Sequence, residues 1–463
     1  MPNPILRLIP LLSLLATAPA QDGQSQFGHA RARALAALGR LPSAREVVVR
    51  DLVNYHRHRL PLPRPDQAVA LDLRFDRAEA GVGDEVLVQV GYTTAPEGDR
   101  SLAPPCAVVL VVDCSGSMRE RGKLDQVRQG LRAFVERLRD DDRVALVAFA
   151  DEARVVLPPQ RCADGEVLDD ALQQLRADGN TNLHQGLLRG LELLDDTALS
   201  DLQRRLIVLT DGIANAGVHD PGRIATEVAT RADAAGVDVS TIGLGANLDA
   251  AVLQQLAQQN RGLCHFVGDA RDVQKVFVRE ADSLLVPAAR HVHLHLRLPD
   301  ELELLHVFDR HQRKHQQRVR WQLDDLNAGA TGVALLRCRV RRTADRPLVV
   351  VARIGYRDPR TAQATEHDAR SALAAVAVPA PDARTDLEVR RNAAIATLAE
   401  GLHAMARRCD GRRWADADRE LRDACDAARA LFPGDDPDVD RVREIVDGHL
   451  RTLQNHLDRF RRH

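Results

Sequence analysis

Ala107-Val-Val-Leu-Val-Val112 is an unbroken apolar run with no alternation of polar and apolar residues. Such a run fits a strand buried on both faces, the condition of strands inside a parallel sheet. Downstream of it the chain repeats one rhythm. Lys123 to Leu138 has the spacing of an amphipathic helix, Val144 to Phe149 reads as a strand, and Ala153 to Leu157 as an edge strand. Helices are expected near 164–176, 183–194, 224–235, 249–259 and 273–285, with strands at 206–210, 237–242 and 265–267. Strands separated by helices of this length predict an α/β fold, a doubly wound, Rossmann-like, mostly parallel sheet.

The flanks have a different period. Ala68 to Phe75 and Glu85 to Tyr92 alternate around the turn signal Gly81-Val-Gly-Asp84. The period of two returns in HVHLHLRL (291–298), RVRWQL (318–323), GVALLRCRV (332–340) and PLVVVARIGY (347–356), which predicts an antiparallel β region. We expect 66–103 and 287–380 to be two parts of one β-sandwich, with the α/β domain, 104–286, inserted between them. Residues 21–65 read as a helical segment, Ala44 to Leu60 included, and 384–463 as C-terminal helices with a turn at Asp410-Gly411.

Arg7 precedes an apolar stretch from Leu8 to Ala18, and Ala18-Pro-Ala20 offers a small-residue cleavage pattern. This predicts a signal peptide over 1–20, hence an exported, soluble protein, periplasmic or secreted. No cysteine comes directly after the run, so a lipid anchor is not expected. No later run approaches the roughly 20 apolar residues that span a bilayer, so no transmembrane segment is expected. Lys and Arg together number 64 against 66 Asp and Glu, a net charge of −2, which argues against a general nucleic-acid binder. Only Lys123, Lys275 and Lys314 are lysines; the remaining cations are arginine. Seven cysteines in 463 residues are not a disulfide scaffold. Cys409 and Cys425, about 18 Å apart on the expected helices, are too distant to bridge.

The apolar run ends in Asp113-Cys-Ser115-Gly-Ser117, at the carboxyl end of a central strand, where open α/β sheets bind ligands. Thr181 precedes a helix, and Asp211 ends the next buried strand in Thr210-Asp-Gly212. Two carboxylates and three hydroxyls form a hard oxygen set, suited to Mg²⁺ foremost, with Mn²⁺ or Ca²⁺ as alternatives. A cation so weakly neutralised seeks one more anionic oxygen, which a partner's carboxylate can supply.

Residues 105–285 resemble a von Willebrand factor type A domain, and this residue set resembles its metal-ion-dependent adhesion site. The resemblance implies that Asp113, Ser115, Ser117, Thr181 and Asp211 hold the ion, directly or through water. It also implies that ligand binding can be coupled to movement of the helix at 273–285. A narrower resemblance, to a bacterial exported family with this domain, rests on Leu41-Pro-Ser, Arg50-Asp-Leu-Val-Asn54-Tyr55 and Pro61-Leu-Pro63, and on Gln322 to Gly329. His56 stands where that family usually has an aromatic.

The expected function is metal-dependent capture of an acidic residue on a protein partner, in adhesion or envelope assembly; the oligomeric state is left open. The alternatives are a metal-dependent hydrolase and a structural envelope protein with a vestigial site. No catalytic constellation is evident: the G-x-S-x-G elbow is absent around Ser115, and Gly243-Leu-Gly245 lacks a third glycine. His184 or Asp178 aimed at the metal would favour the hydrolase. His291, His293 and His295 alternate and should share one exposed face of a strand. Cys114 is expected to pack beneath the strand end.

Overall fold

The N-terminal helix α1 (Phe27–Ala37) and the five-residue α2 (Val49–Val53) precede three strands, β1 (Val69–Phe75), β2 (Glu79–Gly81) and β3 (Glu85–Thr94). The computed structural model describes residues 27–461 apart from 97–103, 163–164, 269–271, 286, 309–311, 316, 324 and 381–384; the expected signal peptide lies outside them. The stretch 44–60 is not the long helix its spacing suggests. It stops at Asn54, whose side chain is diverted to a neighbouring strand. The amide donates to Val333 O at 3.3 Å and accepts from Val333 N at 2.8 Å, completing that strand's hydrogen bonds as another strand would.

The α/β unit comprises β4 (Cys106–Asp113), α3 (Lys123–Val135), β5 (Arg143–Phe149), β6 (Ala153–Arg161), α4 (Gly165–Gln173), α5 (Leu183–Leu194), β7 (Gln203–Thr210), α6 (Pro221–Ala235), β8 (Val237–Leu244), α7 (Ala250–Gln259), β9 (Arg261–Val267) and α8 (Val273–Leu285). The sheet order is β6-β5-β4-β7-β8-β9, parallel except for β6. Every residue of β4 is buried. Val108, Leu110 and Val112 face α3, α4 and α8, while Ala107, Val109 and Val111 face α5, α6 and α7. Helix α5 lies close on the sheet because Gly190 has no side chain: a Cβ there would stand 2.7 Å from both Leu206 and Val111.

The remaining strands are β10 (Pro287–Arg297), β11 (Leu302–Val307), β12 (Gln312–His315), β13 (Arg318–Gln322), β14 (Leu326–Asn327), β15 (Thr331–Val340), β16 (Leu348–Arg357) and β17 (Ala364–Val376). They join the first three in two sheets, β1-β3-β15-β11 and β12-β13-β10-β16-β17-β2, with β14 paired to β10. Strands from both sides of the α/β unit share each sheet, so that unit is inserted into one sandwich around a common core. The β region is not purely antiparallel, since β2 pairs with β17 in parallel. His291, His293 and His295 do share the outward side of β10, alternating with buried Val292, Leu294 and Leu296; a bulge at the start of this run, with φ +52° at His291 and a register shift between Arg290 and His293, leaves Arg290 outside the core as well.

Helices α9 (Leu387–Asp410), α10 (Trp414–Leu431) and α11 (Pro437–Arg461) cover the outer face of the first sheet, packing on Leu87, Val333 and Leu335. The N-terminal helix ties them to the α/β unit. Phe27 meets Phe266 of β9 edge-on at 5.7 Å, Arg31 donates to Ala246 O at 3.0 Å after β8, and Ala32 O faces His449 Nε2 of α11 at 3.0 Å. Within the α/β unit, buried Arg205 meets Glu280 at 3.1 Å and Asp238 at 3.4 Å, while His265 Nε2 stands 2.8 Å from Glu280. Burial opposes the Glu280 charge, but His265 and Arg205 outweigh it and hold the carboxyl near 2. All seven cysteines are free.

Burial pushes His449 down to about 4 and His56 to about 4. The unfolded chain takes up these protons near pH 6.5, and the folded chain refuses them until about pH 4. Stability is therefore lost on acidification through that window. In urea unfolding, the drop in stability from pH 7 to pH 5 should exceed that of His449→Gln by about 2 kcal/mol. Equal drops would show that His449 is not buried neutral.

Candidate metal centre

Asp113 closes β4 with no exposed surface. Its Oδ1 accepts from Ser115 N at 2.8 Å, and its Oδ2 accepts from Thr210 Oγ1 at 2.5 Å. Ser115 Oγ and Ser117 Oγ lie 3.1 Å apart, and Ser117 Oγ donates to Asp211 Oδ1 at 2.6 Å. Thr181 is fixed from both sides: its N–H donates to Asn215 Oδ1 at 2.7 Å, and its carbonyl accepts from Asn215 N at 3.1 Å. A Cβ on Gly212 would stand 3.2 Å from Thr181 Oγ1 and 3.8 Å from Asp113 Oδ2. The oxygens of 113, 115, 117, 181 and 211 thus converge around the carboxyl ends of β4 and β7.

Backbone bonds hold the loops together. Gly116 N donates to Gly179 O at 3.0 Å, and Asp178 N to Cys114 O at 2.7 Å. Gly179 has φ +80°, and a Cβ there would reach within 2.2 Å of Asp151 Oδ2, so the loop before Thr181 requires glycine twice over. Cys114 packs into the core under the strand end, and burial pushes its thiol up to about 12.

Spacing did not single out Lys123, at the start of α3. Its ammonium ion-pairs with Asp211 Oδ2, and Nζ donates to Ser117 O at 3.4 Å. The side chain is only 18% exposed. A lysine is conspicuous in a chain that uses arginine almost everywhere else, and that scarcity was the available signal. Thr210 and Asn215, which orient Asp113 and Thr181, carried none. Burial pushes Asp113 up to about 6, Thr210 and Ser115 pull it back through hydrogen bonds, and the nearby Asp211 charge adds to the rise.

His184 and Asp178 do not join the oxygens. His184 Nε2 faces Glu227 of α6 at 3.0 Å, and the Asp178 side chain is exposed beside Arg119 at 3.6 Å. Among the described residues, no group of three His, Cys, Asp or Glu side chains is placed to hold a metal ion. The candidate here is of another kind, two carboxylates with three hydroxyls, and that set fits a hard divalent cation.

The von Willebrand factor type A domain family matches residues 107–279, spanning β4 through most of α8 with all five oxygen donors inside. This part of the chain is a von Willebrand factor type A domain. The chain is similar to the uncharacterized protein YfbK of Escherichia coli, 26% identical over 57% of this chain and 47% of that protein. It is also similar to human inter-alpha-trypsin inhibitor heavy chain H4, 31% identical over 44% of this chain and 22% of that one. It therefore spans less than half the length of either relative. A solved von Willebrand factor type A protein from Catenulispora acidiphila shares the fold, with TM-score 0.54 and 18% identity, over 84% of this chain and 98% of that one. No described helix is long and apolar enough to cross a membrane.

Without a divalent cation, Lys123 is the charge that balances Asp211. Lys123→Met should cost the type A domain roughly 2 kcal/mol in EDTA, the scale of a lost charged hydrogen bond at a buried partner. The deficit should narrow on adding millimolar Mg²⁺ or Mn²⁺. A thermal midpoint unchanged in EDTA would show that the pair carries no stability.

Proposed function

We propose that the chain is an exported, metal-dependent protein-binding protein whose type A domain captures an acidic residue of a partner. The observation that carries this reading is the oxygen set itself: two buried carboxylates and three hydroxyls at the carboxyl ends of two neighbouring strands, with a single lysine as counter-charge. Asp113 and Asp211 would supply the charge toward a divalent cation, Mg²⁺ foremost, and Ser115, Ser117 and Thr181 neutral oxygens. Bound there, the cation offers a coordination position to an anionic oxygen. This chain's residues set the rest. Thr210 and Asn215 hold the donors in place, and the buried floor of β4 keeps water from reaching Asp113 from below.

Recognition is favoured over hydrolysis because the two bases that the sequence offers are committed elsewhere, His184 to Glu227 and Asp178 to solvent beside Arg119. The near-neutral surface charge agrees with a site whose preference for anions comes from one ion and not from a basic surface.

Calorimetric titration with Mn²⁺ and Mg²⁺ should show one site, weakened at least a hundredfold in Asp113→Ala. Capture of envelope proteins by the immobilised chain should need the divalent ion and fail with that variant. Capture that persists in EDTA and survives the substitution would overturn the reading. Metal-dependent ester or phosphoester hydrolysis abolished by the same change would replace it with the enzyme.

A further inference from the structure

The two sheets of the sandwich treat their outward arginines differently. On the helix-covered sheet and its margins, each is answered by acid: Arg339 by Glu85 at 3.1 Å, Arg341 by Glu303 at 3.5 Å and Arg342 by Glu301 at 2.9 Å. The second sheet turns one face to the core and leaves the other to solvent. Its register sets Arg297 of β10 opposite Arg318 of β13, and His295 between Arg320 and Arg353. Arg370 of β17 stands opposite Val351, one strand further on. Arg297, Arg318, Arg320 and Arg370 are exposed and have no ion pair among the described residues.

Like charges placed directly opposite across strands about 4.8 Å apart destabilise a sheet; among the described residues Asp300, which lines the neighbouring hollow with Arg297 and Arg318, makes no ion pair with either. The acids on the face, Asp368 and Glu366, are both engaged by Arg353, at 2.6 and 3.3 Å. Burial, His293 and Arg320 together push His295 down, as expected in a field of cations. The face is also concave. His295 and arginines 297, 318, 320, 353 and 370 line a depression of about 390 Å³, together with Asp368, whose charge Arg353 already meets. A second hollow of about 440 Å³ adjoins it through Arg297 and Arg318.

We propose that this depression binds a compact polyanion bearing clustered phosphate groups. Guanidinium forks pair two-to-two with phosphate oxygens, and several converging on one hollow match several charges on one ligand. Among the described residues no Phe, Tyr or Trp lines the depression, so recognition falls on the charged group more than on a stacked base. The volume suits a di- or triphosphate moiety or a phospholipid headgroup. The site is independent of the metal centre, which lies on the inserted domain.

The test is calorimetric titration of the full chain with inorganic tripolyphosphate in EDTA, so that chelation at the metal centre plays no part. We expect one site whose affinity falls with added salt and drops at least tenfold in Arg297→Ala/Arg320→Ala. Arg342→Ala, a paired arginine at the margin of the other sheet, should leave it unchanged. Flotation with phosphatidylglycerol vesicles, competed by tripolyphosphate, would make the source a headgroup; tripolyphosphate binding without flotation would make it soluble. No binding at millimolar tripolyphosphate, or equal losses in both variants, overturns the proposal.

Discussion

A strand covered on both faces can present only its ends. Helices occupy one side of β4 and helices the other, and its long edges are hydrogen-bonded to β5 and β7. The peptide bonds after Val112 are the first that can turn toward solvent, and Asp113 stands at that point. The same holds one strand over for Asp211, after β7. The candidate metal centre therefore depends on the apolar packing of β4. A polar residue among 107–112 would cost far more than stability, because it would shift the strand end on which every donor is hung.

Charge at that end is held in a narrow balance. Two carboxylates lie buried within one cluster of hydroxyls, and one ammonium reaches Asp211. Lysine suits the task better than the arginine that dominates elsewhere. Its compact point charge meets one carboxylate oxygen and leaves the other to Ser117, whereas a guanidinium fork would engage both. The opposite choice serves the open sandwich face, where forks directed outward leave their pairing capacity for something outside the chain.

The α/β order and the meeting of residues 113, 115, 117, 181 and 211 at one place were legible in the sequence, because each rests on local rules: apolar runs and short motifs at strand ends; the shared period of two in the flanks suggested that they pair, and only register shows it. Helices α5 and α8 were expected with the very limits they have. What escaped was set by distant partners. Asn54 stops its helix to serve β15, far along the chain, and no local spacing announces that. The bulge at the head of the regular HVHLHLRL pattern sets Arg290 and His291 both outside the core, and the alternation alone does not announce it. Lys123 reads as an ordinary first-turn residue until Asp211 is placed beside it. The arginines of β10 and β13 were visible as letters, but only register shows that they face one another.

The insertion also orders events in time. Val88 of β3 pairs with Leu336 of β15, so the sandwich must close across the whole type A domain. In an unfolded chain that is a very long loop, and such non-local pairing is slow. The folded insert removes the difficulty. Arg139 donates to Pro104 O at 2.8 Å where the insert begins, and Arg137 bonds Asp282 at 3.1 Å where it ends. One turn of chain thus holds both ends together. The inserted domain acts as its own clasp: built from local strand–helix–strand units, it leaves the two halves of the sandwich only a short gap to close once it is folded.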